Sequence, residues 1–325
     1  MYNNNDLEQA VDKGIFSADA VAQFRHYIHQ RDNTHVVDEE TFKLVTSFND
    51  IFVVMACGLL MFSAAWAVLP IHHALASALV AILSWAAAEL FVRRRKMALP
   101  GIFLLTTFIG GVFFTLFFVS NESPLVAALF ATIAAYVHWW RFHVPITVAA
   151  GVGSAVIFVI SSILTLFPAA THWLTGLILI AGLAVFALAM RWDMADRQRL
   201  TGKADVAFWL HLSAAPMIVH PIFTNLGIQA GNQSTTELLV VIILYVGVTL
   251  LSLIIDRRAF MVSALGYVLI ALVQLFDHYG FNSLAYVGIF IGFSLLMLSG
   301  FWHKARAALV RRLPSSIQAL VPALA

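Results

Sequence analysis

The chain carries little charge and almost no cysteine. Only 11% of its 325 residues are Asp, Glu, Lys or Arg, against about 25% in an ordinary soluble domain. Hydrophobic residues make up 61%. Cys57 is the single cysteine, so no intrachain disulfide is possible and cysteine usage carries no information about an oxidising compartment. The first 50 residues are polar, with no basic stretch leading into a short apolar one. This predicts that no secretory signal is cleaved and that the first true span acts as an uncleaved anchor.

The chemical signatures of common enzymes are missing too. There is no G-x-S-x-G, no His-Glu-x-x-His, no C-x-x-C, no Walker A loop and no Gly-rich dinucleotide fingerprint. No catalytic residue is assigned on this basis, and no cofactor is specified. The basic turns lack the groove or aromatic platform of a nucleic-acid binder, so nucleic acid is not an expected partner.

What is present is a series of long apolar runs. They predict an all-α polytopic membrane bundle of ten spans, at roughly 51–69, 73–92, 99–119, 124–140, 144–167, 172–190, 206–227, 236–255, 259–276 and 281–302. The bilayer is thus the first partner. All 19 Lys and Arg residues can be placed on one side of it. They fall in the N-terminal region, in the even-numbered loops (Arg93 to Lys96, Arg141, Arg191 to Lys203, Arg257-Arg258) and in the tail. The odd-numbered loops contain none. Such asymmetry predicts cytoplasmic termini. Trp139-Trp140, Trp173, Trp192 and Trp302 fall at predicted interfaces, where aromatic belts form.

Three regions follow: a helical N-terminal region at 1–50, a bundle at 51–303 and a basic tail at 304–325. A short helix from Leu7 to Lys13 should stop at Gly14, and Ser17 should cap a second helix running toward Gln30. Asp38-Glu39-Glu40 opens a third. Residues 1–50 carry a net charge of −5, whereas the inner loops and tail carry +10. The acidic region is either simply solvated or docks by charge, on the basic face or on a protein partner.

The seventh span holds the most unusual residues. It starts at Asp205 and contains His211, Pro216, His220 and Pro221. Each proline removes a backbone donor and tends to bend the helix. Freed carbonyls need partners, so this span should be the most distorted, enclosed by protein or lining a wet cavity. Nine residues separate the histidines, about 2.5 turns, which points them to nearly opposite faces. Each is either glue to a neighbouring helix or a waypoint on an ion or proton path. Glu89 precedes Arg93 by four residues and should pair with it, with a proton-carrying role as the second reading. Asp277 and His278 follow Gln274 at the outer end of the ninth span. Together with His220, Asn225, His172 and His72-His73 they admit a zinc or copper site, although no ligand set is specified. His26 and His29 are three apart on the N-terminal helix and could chelate weakly. The mixed-charge loop from Arg191 to Asp205 is either an orientation signal with local ion pairs or a cytoplasmic gate.

Two halves related by duplication are conceivable. Tyr136 to Gly151 loosely echoes Tyr245 to Gly266, and ten spans also divide into inverted halves of five.

Leu7 to Ile28, with Gly14-Ile15-Phe16-Ser17 and Ala20, resembles the N-terminal segment of a family of uncharacterised bacterial polytopic membrane proteins. In that family a G-I-[LIF]-S turn separates two cytosolic helices ahead of the spans. Asp38 to Phe52, and Ala204 to His211 through His220-Pro221, resemble related stretches. The resemblance implies a multi-pass protein of the inner membrane and brings no reaction or substrate. The leading expectation is a transporter or channel-like protein for a small solute or ion. His211, His220, Asp205, Asp277, His278 and Glu89 are its candidate pathway or binding residues. The alternatives are a histidine-ligated redox or metal protein, and a non-transporting assembly or sensory partner.

Overall fold

A computed structural model describes residues 7, 10–31, 48–197, 202–226, 234–278 and 283–322, without the side chains of 25–31, 277, 278, 283 and 284. Residues 1–41 form one compact unit and 42–324 another. In the first, Gly14 takes a left-handed conformation (φ 69°) that a side chain would strain. Its amide and that of Ile15 close on the carbonyls of Val11 and Ala10, ending the preceding turn. The next helix, Ala18–Arg31, begins where the Ser17 hydroxyl accepts from the Ala20 amide at 3.1 Å. The expected third helix at 38–47 and the side chains of His26 and His29 lie outside the described residues.

The second unit is all-helical, and ten of its helices are long and apolar enough to cross a membrane. They are Phe48–Val68, His73–Arg94, Ala98–Val119, Pro124–Phe142, Ile146–Leu166, Pro168–Ala195, Lys203–Thr224, Thr235–Ile255, Ala259–Phe276 and Ala285–Val310. We refer to them in order as the first to tenth spans. In so apolar a chain, local polar chemistry sets the ends. Pro124 starts the fourth span, where its missing amide costs nothing. Ser234 and Glu237 form a reciprocal capping box at the eighth. His143 and Asp256 stop the fourth and eighth in left-handed conformations (φ 54° and 59°).

Packing is closest at two helix crossings. A Cβ built on Gly111 of the third span would sit 2.8 Å from the Ala81 amide nitrogen in the second. One built on Gly182 of the sixth would sit 2.9 Å from the Met217 backbone in the seventh. In lipid, such small-residue approaches supply much of the helix-helix attraction, because apolar burial gains little there.

The seventh span is the most enclosed of the ten, with half of its most apolar 18-residue stretch buried. It runs helically through both Pro216 and Pro221. Departures from α-helical bonding fall elsewhere among the described residues, in a six-residue π-helical turn, Glu89–Arg94, at the end of the second span and in a 3-10 turn, Pro168–Trp173, at the start of the sixth. Trp302 also departs from expectation. It is buried, not part of an interfacial belt, whereas Trp140 and Trp173 are widely exposed. The tail folds back as well. Arg306 donates to the Pro322 carbonyl at 2.7 Å, and Arg197 donates to Gln318 and Val321.

Candidate functional site

Three ionic clusters form at span ends that bear Lys and Arg. The most buried is centred on Asp193, two residues before the end of the sixth span. Its Oδ1 accepts from Arg257 Nη2 at 2.5 Å and its Oδ2 from His211 Nε2 at 2.8 Å. Arg257 Nε reaches Oδ2 at 3.4 Å, and Nη2 also reaches the Ala204 carbonyl at 3.3 Å. The side chains of Asp193, His211 and Arg257 are 1%, 0% and 2% exposed. A carboxylate only accepts, so the proton between Asp193 and His211 belongs to Nε2.

Each partner is held by its own element. His211 projects from the enclosed seventh span and meets the edges of a ring pair, Phe186 at 5.4 Å and Phe260 at 6.1 Å, which themselves touch at 5.5 Å. Arg257 sits in the tight turn joining the eighth and ninth spans. Its amide bonds to the Ser252 carbonyl at 2.9 Å, and the Ser252 hydroxyl donates back to the Arg257 carbonyl. Met261 donates to the same hydroxyl oxygen at 3.4 Å. Asp205 is half-buried, within electrostatic reach of Arg257 and of the buried Asp196. The cluster therefore joins the sixth span, the seventh span and the turn between the eighth and ninth.

A second cluster lies beside it. Asp256 Oδ1 accepts from the Trp302 indole at 2.9 Å and pairs with Arg306 at 3.3 Å. The Arg258 guanidinium stacks over the Trp302 ring at 4.9 Å.

Glu89 anchors the third. The expected pair with Arg93 is present at 3.3 Å. The stronger partner is Arg141 of the fourth span, whose Nε and Nη2 bind the two carboxylate oxygens at 2.7 and 3.0 Å. About a third of both side chains is exposed. This fork and the Asp193–Arg257 fork are related by a shift of four spans. In each, an acid near the basic end of one span grips an arginine at or just beyond the end of the span two further on.

His220 makes a separate contact with the Tyr267 hydroxyl, on an exposed part of the seventh span. The two histidines do part company, as their spacing requires. Asp277 and His278 lie on the ninth helix, with side chains outside the described set. His72 Nδ1 caps the Ala74 amide at 3.2 Å, and His73 packs on Phe118. Among the described residues, no three of His, Cys, Asp and Glu converge as a metal site.

Reading along the sequence missed His138, Asp193, Arg141 and Arg257. His138 is fully buried against Phe142, Phe108 and Trp85, with Nδ1 at 3.2 Å from the Thr147 hydroxyl. The acid-then-arginine order, recurring at corresponding ends four spans apart, was the available signal for the other three.

Comparison with protein-family models, curated proteins and solved structures finds no match.

Proposed function

We propose that this chain is an inner-membrane transporter for a small solute or ion, with cytoplasmic termini and a proton-linked step at the His211–Asp193–Arg257 cluster. The observation that carries this reading is one buried carboxylate shared between a permanent cation and a titratable one. With Asp193 ionised, Arg257 charged and His211 neutral, the buried charges cancel. A proton taken up by His211 adds an uncompensated positive charge in a dry setting, which favours opening of the cluster to water. Ionisable groups at membrane depth are costly, and they often mark ion and proton paths. The neighbouring Asp205 sits where an entering cation would meet it. On this reading the Glu89–Arg141 fork is the wetter counterpart, four spans earlier in the chain. Membership of the family bearing the G-I-[LIF]-S turn belongs to the same proposal, supported by the left-handed Gly14.

The test uses purified protein in liposomes loaded with a pH-sensitive dye. It applies a panel of inorganic and organic cations and small neutral solutes. Wild type should acidify or alkalinise the lumen when its solute is added. His211→Gln keeps a donor of similar size but loses the titration, and should lower the coupled flux at least tenfold while remaining inserted. A folded wild-type protein that moves neither protons nor any solute would sink the reading and leave an assembly or sensory role.

Orientation has its own check. Single cysteines replacing Asn121, Gln233 and Asn282 should react with an impermeant thiol reagent from the periplasmic side. Cysteines replacing Lys96 and Lys203 should react only after the membrane is opened. Labelling at 203 from outside overturns the arrangement.

A further inference from the structure

Between the fifth and sixth spans runs an apolar cleft of about 420 Å³, lined over 152–163 on one side and 177–188 on the other. Every lining side chain is Val, Ala, Ile or Leu. The lining covers eleven residue steps of each helix, roughly 16 Å at 1.5 Å per residue. That is about half of a hydrocarbon core roughly 30 Å thick, the depth of one leaflet. On the sixth span the lining follows one stripe, Leu177, Ala181, Ala184 and Leu188, at spacings of four, three and four. The next position in the stripe is Arg191. This arginine is exposed and has no hydrogen-bond or ion-pair partner among the described residues. The carboxylate two residues on, Asp193, is turned inward and already bound to Arg257 and His211.

We infer that this cleft is a binding site for one anionic phospholipid, its phosphate on Arg191 and an acyl chain between the fifth and sixth spans. Three features select this occupant. The cleft is as long as a leaflet and only as wide as the gap between two helices, which suits an extended chain. Its walls offer no polar group to a hydrophilic solute. In line with it at its basic end is a cation, Arg191, and long basic side chains reach the interface readily. Anionic lipids gain about 1 kcal/mol per Lys or Arg near the surface, and a guanidinium can bind phosphate through two N–H donors.

The protein should be extracted from vesicles of equimolar phosphatidylglycerol and phosphatidylcholine, and retained lipid identified by native mass spectrometry. Wild type should keep phosphatidylglycerol in preference. Arg191→Gln should lower that preference about fivefold, the factor equivalent to roughly 1 kcal/mol. Ala184→Phe, which fills the cleft, should reduce retention of both lipids. If that variant does not fold, Ala181→Leu obstructs the same stripe with less bulk. Equal retention of the two lipids, or a preference unchanged by Arg191→Gln, overturns the site. A retained adduct with the mass of a free fatty acid overturns the phospholipid assignment. None of these outcomes depends on whether the protein transports a solute.

Discussion

Asp193→Ala is expected to be among the most damaging single substitutions in the bundle, costing about 3–5 kcal/mol. Arg257 is 2% exposed and has the Asp193 carboxylate as its ionic partner, with the Ala204 carbonyl as a longer contact. Removing the acid strands a guanidinium that cannot be neutralised and cannot reach water. His211 loses the acceptor of its Nε2 proton in the same step. The measurement is thermal unfolding in detergent, followed by a fluorescent thiol dye on Cys57, which is buried. Two comparisons isolate the cause. Glu89→Ala removes the corresponding acid in the wetter fork, where about a third of each side chain is exposed, and should cost only about 0–1 kcal/mol. Asp193→Leu combined with Arg257→Met removes both charges and should recover most of the lost stability. It should not recover coupled flux. Equal losses from Asp193→Ala and Glu89→Ala would mean that burial does not separate the two forks.

The second large effect is steric. Gly110 and Gly111 are neighbours in the third span. A Cβ at Gly110 meets nothing within 4 Å, whereas one at Gly111 meets the Ala81 amide nitrogen at 2.8 Å and the Ser77 carbonyl at 2.9 Å. These are backbone atoms of the second span, which cannot rotate aside. Gly111→Val should therefore push the second and third spans apart and cost about 1–3 kcal/mol, the usual range for overpacking. It should also disturb the Ser84–Thr107 hydrogen bond, now 2.8 Å, that lies one turn further along the same crossing. Gly110→Val should be close to neutral or mildly stabilising, because glycine is a poor helix former. The pair of variants, compared by unfolding temperature, separates helix propensity from helix approach. If both behave alike, the close crossing is not a point of tight packing.

The ten spans were legible along the chain because lipid imposes a simple local rule. A segment either is apolar over about 20 residues or does not cross. The observed helices differ from the expected ones by a few residues, and the differences have local causes. Pro124 and the Ser234–Glu237 box mark starts. His143 and Asp256 mark ends. The tenth helix extends past its expected end at 302 to Val310, where Arg306 finds partners in Asp256 and the Pro322 carbonyl. Nine-residue spacing was likewise enough to separate His211 from His220, since helical geometry is the same in any environment.

Which charges meet was not legible, because pairing is a property of distance between helices and not of position in sequence. Glu89 finds Arg93 by the four-residue rule. Its better partner, Arg141, lies 52 residues away. Asp193 and Arg257 each read as part of a positive-inside loop, and 64 residues separate them. Nothing local distinguishes an arginine that snorkels to water, as Arg191 does, from one sealed against a carboxylate, as Arg257 is. The same holds for His138 and Trp302, whose burial depends on which neighbours close over them. Composition and periodicity by themselves determined a membrane bundle, its number of crossings and the separation of the seventh span's histidines, because each follows from one helix in contact with lipid. Tertiary structure alone decided which ionisable groups are dry and what neutralises them, because that depends on several helices meeting at one point.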